Sequence, residues 1–193
     1  MNILQLFNDE MAGIVTQVRG SLVRVHAGQG NGAGTIWHSD GLIITNAHVV
    51  ATGDLSITLP DGSTQPAQLL AYDPERDLAA LCVEARELPT IELGKSKDLT
   101  PGQWVMAIGH PWGVQGAATS GIVIGTGKQM LEIPTGQREW VMCSLHLRPG
   151  HSGGPLVNTA GHLVGINTIM TGPEVGGAVP VDVVKHFLKQ HMN

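Results

Sequence analysis

Apolar residues at Ile3, Leu4, Phe7, Met11, Ile14, Val15 and Val18 recur every three or four positions, the period of one helix face. The chain is therefore predicted to open with a short amphipathic helix over 1–18. Beyond it the period shortens to strand-like runs bounded by turn residues: Leu22–His26, Gly34–His38, Leu42–Thr45, Leu55–Leu59, Gln65–Tyr72 and Leu78–Val83. A second series follows at Trp104–Gly109, Ala117–Gly127, Glu139–Leu145, Leu156–Asn158, Leu163–Met170 and Gly177–Val179. The polar stretch Gly94–Gly102 divides six runs from six and sets a boundary between 19–97 and 98–180. Asp61–Gly62 reads as a hairpin turn of the kind that needs positive φ. After Pro180 the spacing of Val181, Val184, Phe187 and Leu188 returns to a helix over 181–193, which Asp182 helps to start.

Short strands without intervening helices cannot build a parallel sheet, because parallel pairing needs long crossovers. Two antiparallel six-stranded β-barrels packed side by side close their own edges, so the predicted fold class is all-β with a helix at each end. The cleft between barrels is where residues from both halves can meet.

Composition sharpens this reading. With 26 Gly, 11 Pro and only 14% charged residues, the chain favours tight turns over a helical bundle. Apolar residues at 42% and a mean hydropathy of +0.09 exclude a disordered chain. The net charge of −5 argues against a nucleic-acid or anionic-membrane surface. No run is long and apolar enough for a membrane span, and Met1–Glu10 lacks the basic start of a secretory leader. The expectation is a cytoplasmic protein with no membrane insertion. Cys82 and Cys143 sit among apolar neighbours and read as small hydrophobes. His146, His151 and His162 lack metal-ligand spacing, so no metal or cofactor is expected. His186 and His191 are expected to face water. Gly28–Gly34 leads into strand-like Thr35-Ile36-Trp37 rather than a helix, so it reads as a flexible hairpin tip, not a phosphate loop. Trp37, Trp104, Trp112 and Trp140 read as barrel-end packing, with a place beside the cleft as the alternative for Trp112.

The strongest local signal is Gly150-His151-Ser152-Gly153-Gly154-Pro155-Leu156. Glycines around a serine let the backbone fold tightly, expose the hydroxyl and aim consecutive N–H groups into one space. Gly150 and Ser152 could donate to an oxygen that becomes negative when a carbonyl is attacked, each donor contributing roughly 3–4 kcal/mol. The plain alternative is a glycine-rich hairpin with an incidental serine. A serine needs a base, and His48 stands where the β-branched run Leu42–Thr45 ends, in Asn46-Ala47-His48-Val49. A lone histidine is otherwise a satisfied core residue. A third group must orient the imidazole. Asp77 precedes an apolar strand; Asp73, in the turn with Pro74, is the rival.

Thr45-Asn46-Ala47-His48-Val49-Val50, Asp77-Leu78-Ala79-Ala80-Leu81 and Gly150–Leu156 resemble the three catalytic blocks of trypsin-like serine proteases, more narrowly the HtrA/Deg branch. Ala107-Ile108-Gly109-His110-Pro111, Thr119–Val123, Gly165-Ile166-Asn167-Thr168 and Ala178–Asp182 also resemble that branch, so the likeness runs along nearly the whole chain. It implies a serine endopeptidase acting on polypeptides, with His48 as base, Asp77 as orienter, Ser152 as nucleophile and the Gly150 and Ser152 amides as oxyanion hole. By motif offset it places His146 and Leu147 on one wall of the substrate pocket and Ile166, Asn167, Thr168 and Ile169 on the other. No Asp falls at the pocket floor, so small or medium apolar side chains are expected before the cut rather than Lys or Arg. The resemblance leaves open a homo-oligomer, a trimer joined by N-terminal aromatic contacts such as Phe7.

Three departures stand out. As written, the chain is expected to lack the PDZ domain common in this branch after Ala178–Pro180 and to lack a leader, and His151 replaces the Asn usual before the nucleophile, where it is expected to reach solvent or a neighbouring loop and add a titrating group. Two other functions compete: a protease fold that binds protein with little turnover, and an esterase. The esterase would show a strand–elbow–helix around its serine, which this flanking sequence lacks.

Overall fold

The computed structural model describes residues 2–28, 30–51, 53–128 and 138–192. The first barrel contains β1 (Leu22–Ala27), β2 (Gly30–His38), β3 (Leu42–Thr45), β4 (Leu55–Thr58), β5 (Thr64–Asp73) and β6 (Leu78–Val83). Antiparallel pairing closes it in the order β1-β2-β3-β6-β5-β4. The second contains β7 (Trp104–Gly109), β8 (Ala117–Gly127), β9 (Trp140–Cys143), β10 (Pro155–Asn158), β11 (Leu163–Gly172) and β12 (Val175–Pro180), closed as β10-β11-β12-β9-β8-β7. Helices α1 (Ile3–Arg19) and α2 (Val181–His191) flank them. This is the all-β double barrel expected from the sequence.

Two local readings change. Gly30, Asn31, Gly32 and Ala33 pair with Ala27, His26, Val25 and Arg24, so most of the glycine-rich stretch is ladder rather than a flexible tip. Glycine serves there by leaving room: a Cβ at Gly32 would stand 2.6 Å from Val49. The Asp61–Gly62 turn is also not the tight two-residue form. Gly62 has φ of +88° but Asp61 is not left-handed, and the Gly62 N–H closes a longer loop onto the Leu59 carbonyl at 2.9 Å.

The apolar residues form three cores. One fills the first barrel around Ile36, Ile43, Ile57 and Leu81. Another fills the second around Val105, Val141, Cys143 and Leu156, where burial pushes the Cys143 thiol up to about 12. The third lies between barrels: Ala33, Ile44 and Leu78 meet Ile108, Val157 and Ile166, and the helices seal the seam with Val18 and Phe187. Burying such side chains contributes roughly 1.5–3 kcal/mol each, so the seam is a core and not a hinge. The first two turns of α1 leave Ile3, Leu4, Leu6 and Phe7 exposed, with Phe7 edge-on to the half-exposed Trp104 at 5.7 Å. Trp104 therefore does more than pack a barrel end, while Trp140 is buried as expected. Among the described residues no helix is long and apolar enough to cross a membrane.

Candidate active site

The end of β3, the start of β6 and the loop before β10 converge at one end of the seam. Past β3 the chain makes a single 3-10 turn, Ala47–Val49, anchored by the buried Asn46, whose Nδ2 donates to the Asp77 carbonyl at 2.9 Å. Asp77 adopts φ of +56°, a left-handed conformation that Asp tolerates better than most residues, and this aims its carboxylate back at the turn. Oδ1 accepts the His48 backbone N–H at 3.0 Å, and both oxygens lie 2.9 Å from His48 Nδ1. The carboxylate thus fixes the ring and its backbone together, and its bond to Nδ1 leaves Nε2 as the free nitrogen. The rival Asp73 is turned onto its own loop, accepting the Arg76 N–H at 2.9 Å and pairing with the Arg76 guanidinium at 3.2 Å.

A residue read as pocket wall has a second part here. The Thr168 hydroxyl donates to Asp77 Oδ2, adding a second side-chain donor to the carboxylate. Burial alone would raise the Asp77 carboxyl, but the hydrogen bonds from His48 and Thr168 and the nearby imidazole outweigh it and hold the group below its usual range. Asp77 is therefore an anion, ready to stabilise an imidazolium.

Ser152 stands where the two barrels clamp one loop. The Ala33 N–H of β2 donates to the Ser152 carbonyl at 2.8 Å, and the Gly153 N–H donates to the Asn167 carbonyl of β11 at 2.9 Å. Gly153 has φ of +85°, and a Cβ there would collide with the Ala33 carbonyl and the Thr45 hydroxyl, so glycine is required. Gly150 has φ of +102°. Among the described residues neither the Gly150 nor the Ser152 N–H has a backbone acceptor, as two donors held for a ligand oxygen should be. The Ser152 hydroxyl donates to the Thr168 carbonyl at 3.1 Å and is not hydrogen-bonded to His48, although both side chains line one groove.

That groove is lined by Leu147, Ile169, Met170 and Val49, together with Asn31 and Arg148, and by no carboxylate. A second hollow shares His48, Thr168 and Ile169 and continues over Tyr72, Pro74, Trp140 and Arg138. Of the six residues expected to form the pocket, Leu147, Thr168 and Ile169 line it. The other three do not. Ile166 and Asn167 are fully buried, the Asn167 amide donating to the Pro155 carbonyl at 2.9 Å, and His146 is exposed away from the groove. Val49, Asn31 and Met170 carried no signal in the sequence.

His151 also differs from expectation. It is 3% exposed and turned onto its own loop, with Nδ1 3.1 Å from the Arg148 N–H. Burial pushes its imidazole below the usual value, so it adds no charge beside the nucleophile near neutral pH. His110, whose backbone N–H donates to the Gly150 carbonyl at 2.8 Å, is shifted further, down to about 4. Burial is the main cause, and Arg24, Arg19 and His151 add to it while the Val23 backbone opposes it. Above pH 6.5 His110 is neutral both folded and unfolded. Between 6.5 and about 4 the unfolded chain takes up a proton that the folded one refuses, so stability falls with pH in that window. The melting temperature should therefore drop from pH 6.5 to 5, and His110→Gln should flatten that slope; an equal slope in the variant would remove His110 as its source.

The profile of the trypsin-like peptidase domain matches residues 32–166. Among relatives, the mitochondrial serine protease HTRA2 of Bos taurus is 40% identical over 162 residues, covering 82% of this chain and 35% of that protein. A DegP-like periplasmic serine endoprotease of Pseudomonas fluorescens is 40% identical over 176 residues, 86% of this chain and 36% of that protein. Of solved structures, the HtrA-type protease AlgW with a tripeptide superposes with a TM-score of 0.85 at 32% identity, over 93% of this chain and 62% of that one. The chain thus spans little more than a third of the length of those two relatives.

Proposed function

The chain belongs to the trypsin-like peptidase family, and from that premise we propose that it is a serine endopeptidase that cleaves polypeptides through His48, Asp77 and Ser152. One observation carries the reading: Asp77 holds His48 by ring and backbone in the groove that contains Ser152, beside two unpaired amides. In the reaction the Ser152 hydroxyl turns from the Thr168 carbonyl to His48 and attacks the substrate carbonyl carbon. His48 Nε2 takes the hydroxyl proton, Asp77 stabilises the imidazolium, and the Gly150 and Ser152 N–H groups receive the new oxyanion. The imidazolium then protonates the departing amine, leaving an ester on Ser152. Water, deprotonated by the same imidazole, hydrolyses that ester and restores the hydroxyl.

Leu147, Ile169 and Met170 support a preference for apolar side chains on the acyl side of the cut, since nothing in the lining would pair with Lys or Arg. Sorting by apolar fit is modest, roughly 1–3 kcal/mol per methylene. A peptide-library digest should show cleavage mainly after Val, Ala, Leu and similar residues and none with Ser152→Ala. Cuts dominated by Lys or Arg would contradict the pocket, and digestion by Ser152→Ala would contradict the mechanism. The hydroxyl's bond to Thr168 favours one second reading, a protein-binding form with little turnover; the library would then be bound and left intact. The exposed Ile3, Leu4, Leu6 and Phe7 beside Trp104 supply the surface on which a homo-oligomer would assemble.

A further inference from the structure

Behind the loop that carries Ser152 lies a hollow of about 280 Å³, with Arg19, Arg24, Thr58, His110, Gln115 and Gly116 in its wall. Its chemistry is one-sided. Arg19 ends α1 and Arg24 stands in β1, and no carboxylate lines the space, in a chain whose net charge is −5. Among the described residues neither guanidinium has a carboxylate partner. The side chain of Arg19 lies across Gly116, where an added Cβ would stand 2.7 Å from Arg19 Cδ. Arg24 gives one N–H to the Gly113 carbonyl at 3.1 Å, which leaves the rest of its five-donor fork for other acceptors. His110 Nε2 is buried without a partner. Like charges gathered around a buried ring are unfavourable until an anion joins them.

We propose that this hollow binds a phosphate group, as inorganic phosphate or as the phosphomonoester of a small molecule, between Arg19, Arg24 and His110. Two guanidinium forks reaching in from different elements offer more donors than the two oxygens of a carboxylate can accept, and they suit a tetrahedral, doubly charged anion. The groups facing His110 are Arg19, Arg24 and His151, all basic; the Gly116 N–H meets His110 Nδ1 at 3.4 Å, which leaves the ring proton on Nε2, so the neutral imidazole already offers the anion a third donor.

The site is wired to the nucleophile loop. Arg24 holds the Gly113 carbonyl, the Gly113 N–H donates to the His110 carbonyl at 3.1 Å, and the His110 N–H donates to the Gly150 carbonyl at 2.8 Å. Phosphate that fixes Arg24 and His110 therefore steadies Gly150, one of the two amides assigned to the oxyanion. This coupling rests on the endopeptidase reading; the binding itself does not. By reciprocity, acylation of Ser152 tightens phosphate binding by the factor through which phosphate favours the acylation-competent loop.

The test titrates the full chain with inorganic phosphate and, in a second arm, with phosphoserine, at ionic strength held constant with sodium chloride. His110 imidazole resonances and the melting temperature report binding. The expected result is a saturable shift of the His110 signals and a melting temperature raised by about 3–5 °C at ten times the Kd. Arg19→Gln and Arg24→Gln should each weaken binding at least tenfold. Arg19 is exposed, so its variant decides the matter even if Arg24→Gln fails to fold. Tighter binding of phosphoserine assigns the site to phosphomonoesters, and tighter binding of phosphate assigns it to the free ion. No saturable shift at constant ionic strength, or equal affinity in Arg19→Gln, overturns the site. The rate of Ser152 labelling by a fluorophosphonate is read alongside and should rise at least threefold with phosphate in the wild type only; equal rates overturn the coupling. A chain that binds phosphate but is never labelled overturns the endopeptidase reading and leaves the site standing.

Discussion

Replacing His48 by Ala should lower kcat/KM on an unfolded protein substrate by about 10⁴- to 10⁶-fold, the scale on which serine hydrolases lose activity without their base. The ring touches Asp77 on one side and the substrate groove on the other and is half exposed, so its loss leaves the cores untouched and the melting temperature should barely move. Because base and nucleophile act as a unit, His48→Ala combined with Ser152→Ala should be no slower than either alone. Asp77→Asn should cost about 10⁴-fold, because an amide can donate to Nδ1 and so favour the wrong tautomer. Additive losses in the double variant would mean that the two side chains do not share one step.

The second large effect is expected at Gly150. Its φ of +102° suits glycine, and a Cβ there would stand 2.5 Å from the His110 carbonyl and 2.9 Å from Pro111 Cα. Gly150→Ala must therefore swing the segment away from His110, turning the Gly150 N–H out of the oxyanion site. The predicted loss in kcat is about 10²- to 10³-fold, the worth of one oxyanion donor. KM should change little, because the apolar groove around Leu147 and Met170 does not depend on that amide. Unchanged kcat in a folded Gly150→Ala variant would separate Gly150 from the chemistry. The loop has a further brace in Arg148, whose guanidinium lies 4.6 Å from the ring centre of the exposed Trp112, a residue itself held at φ of +52°.

Much of this was legible in the sequence, because the determining signals are local. The barrel strands are short apolar or alternating runs set between turn residues, so continuous runs such as Leu42–Thr45 and Leu78–Val83, buried along nearly their whole length, could be bounded by inspection. His48, Asp77 and Ser152 stand beside strand ends or glycines that announce a rim or a tight loop. What the sequence could not give is pairing across distance. The bond between Thr168 and Asp77 joins residues 91 apart, and nothing in Gly165–Thr168 says that a hydroxyl rather than a wall is needed there. The split among the residues expected to wall the pocket has a related cause. The register of β11 against β12 shifts between Asn167 and Ile169, so consecutive residues that read as one wall divide between the core and the groove. His151 looked free to titrate, yet its loop folds it inward. The Arg19–Arg24–His110 hollow gathers residues from a helix, a strand and the other barrel, and no motif in any one segment foretells it.

The most direct test of the central claim is to treat the protein with a fluorophosphonate and map the adduct by mass spectrometry of the digested chain. The account predicts a single phosphonylated residue, Ser152, formed quickly in the wild type, slowed by orders of magnitude in His48→Ala and absent in Ser152→Ala. An adduct on any other residue, or labelling of Ser152→Ala at the wild-type rate, would contradict it.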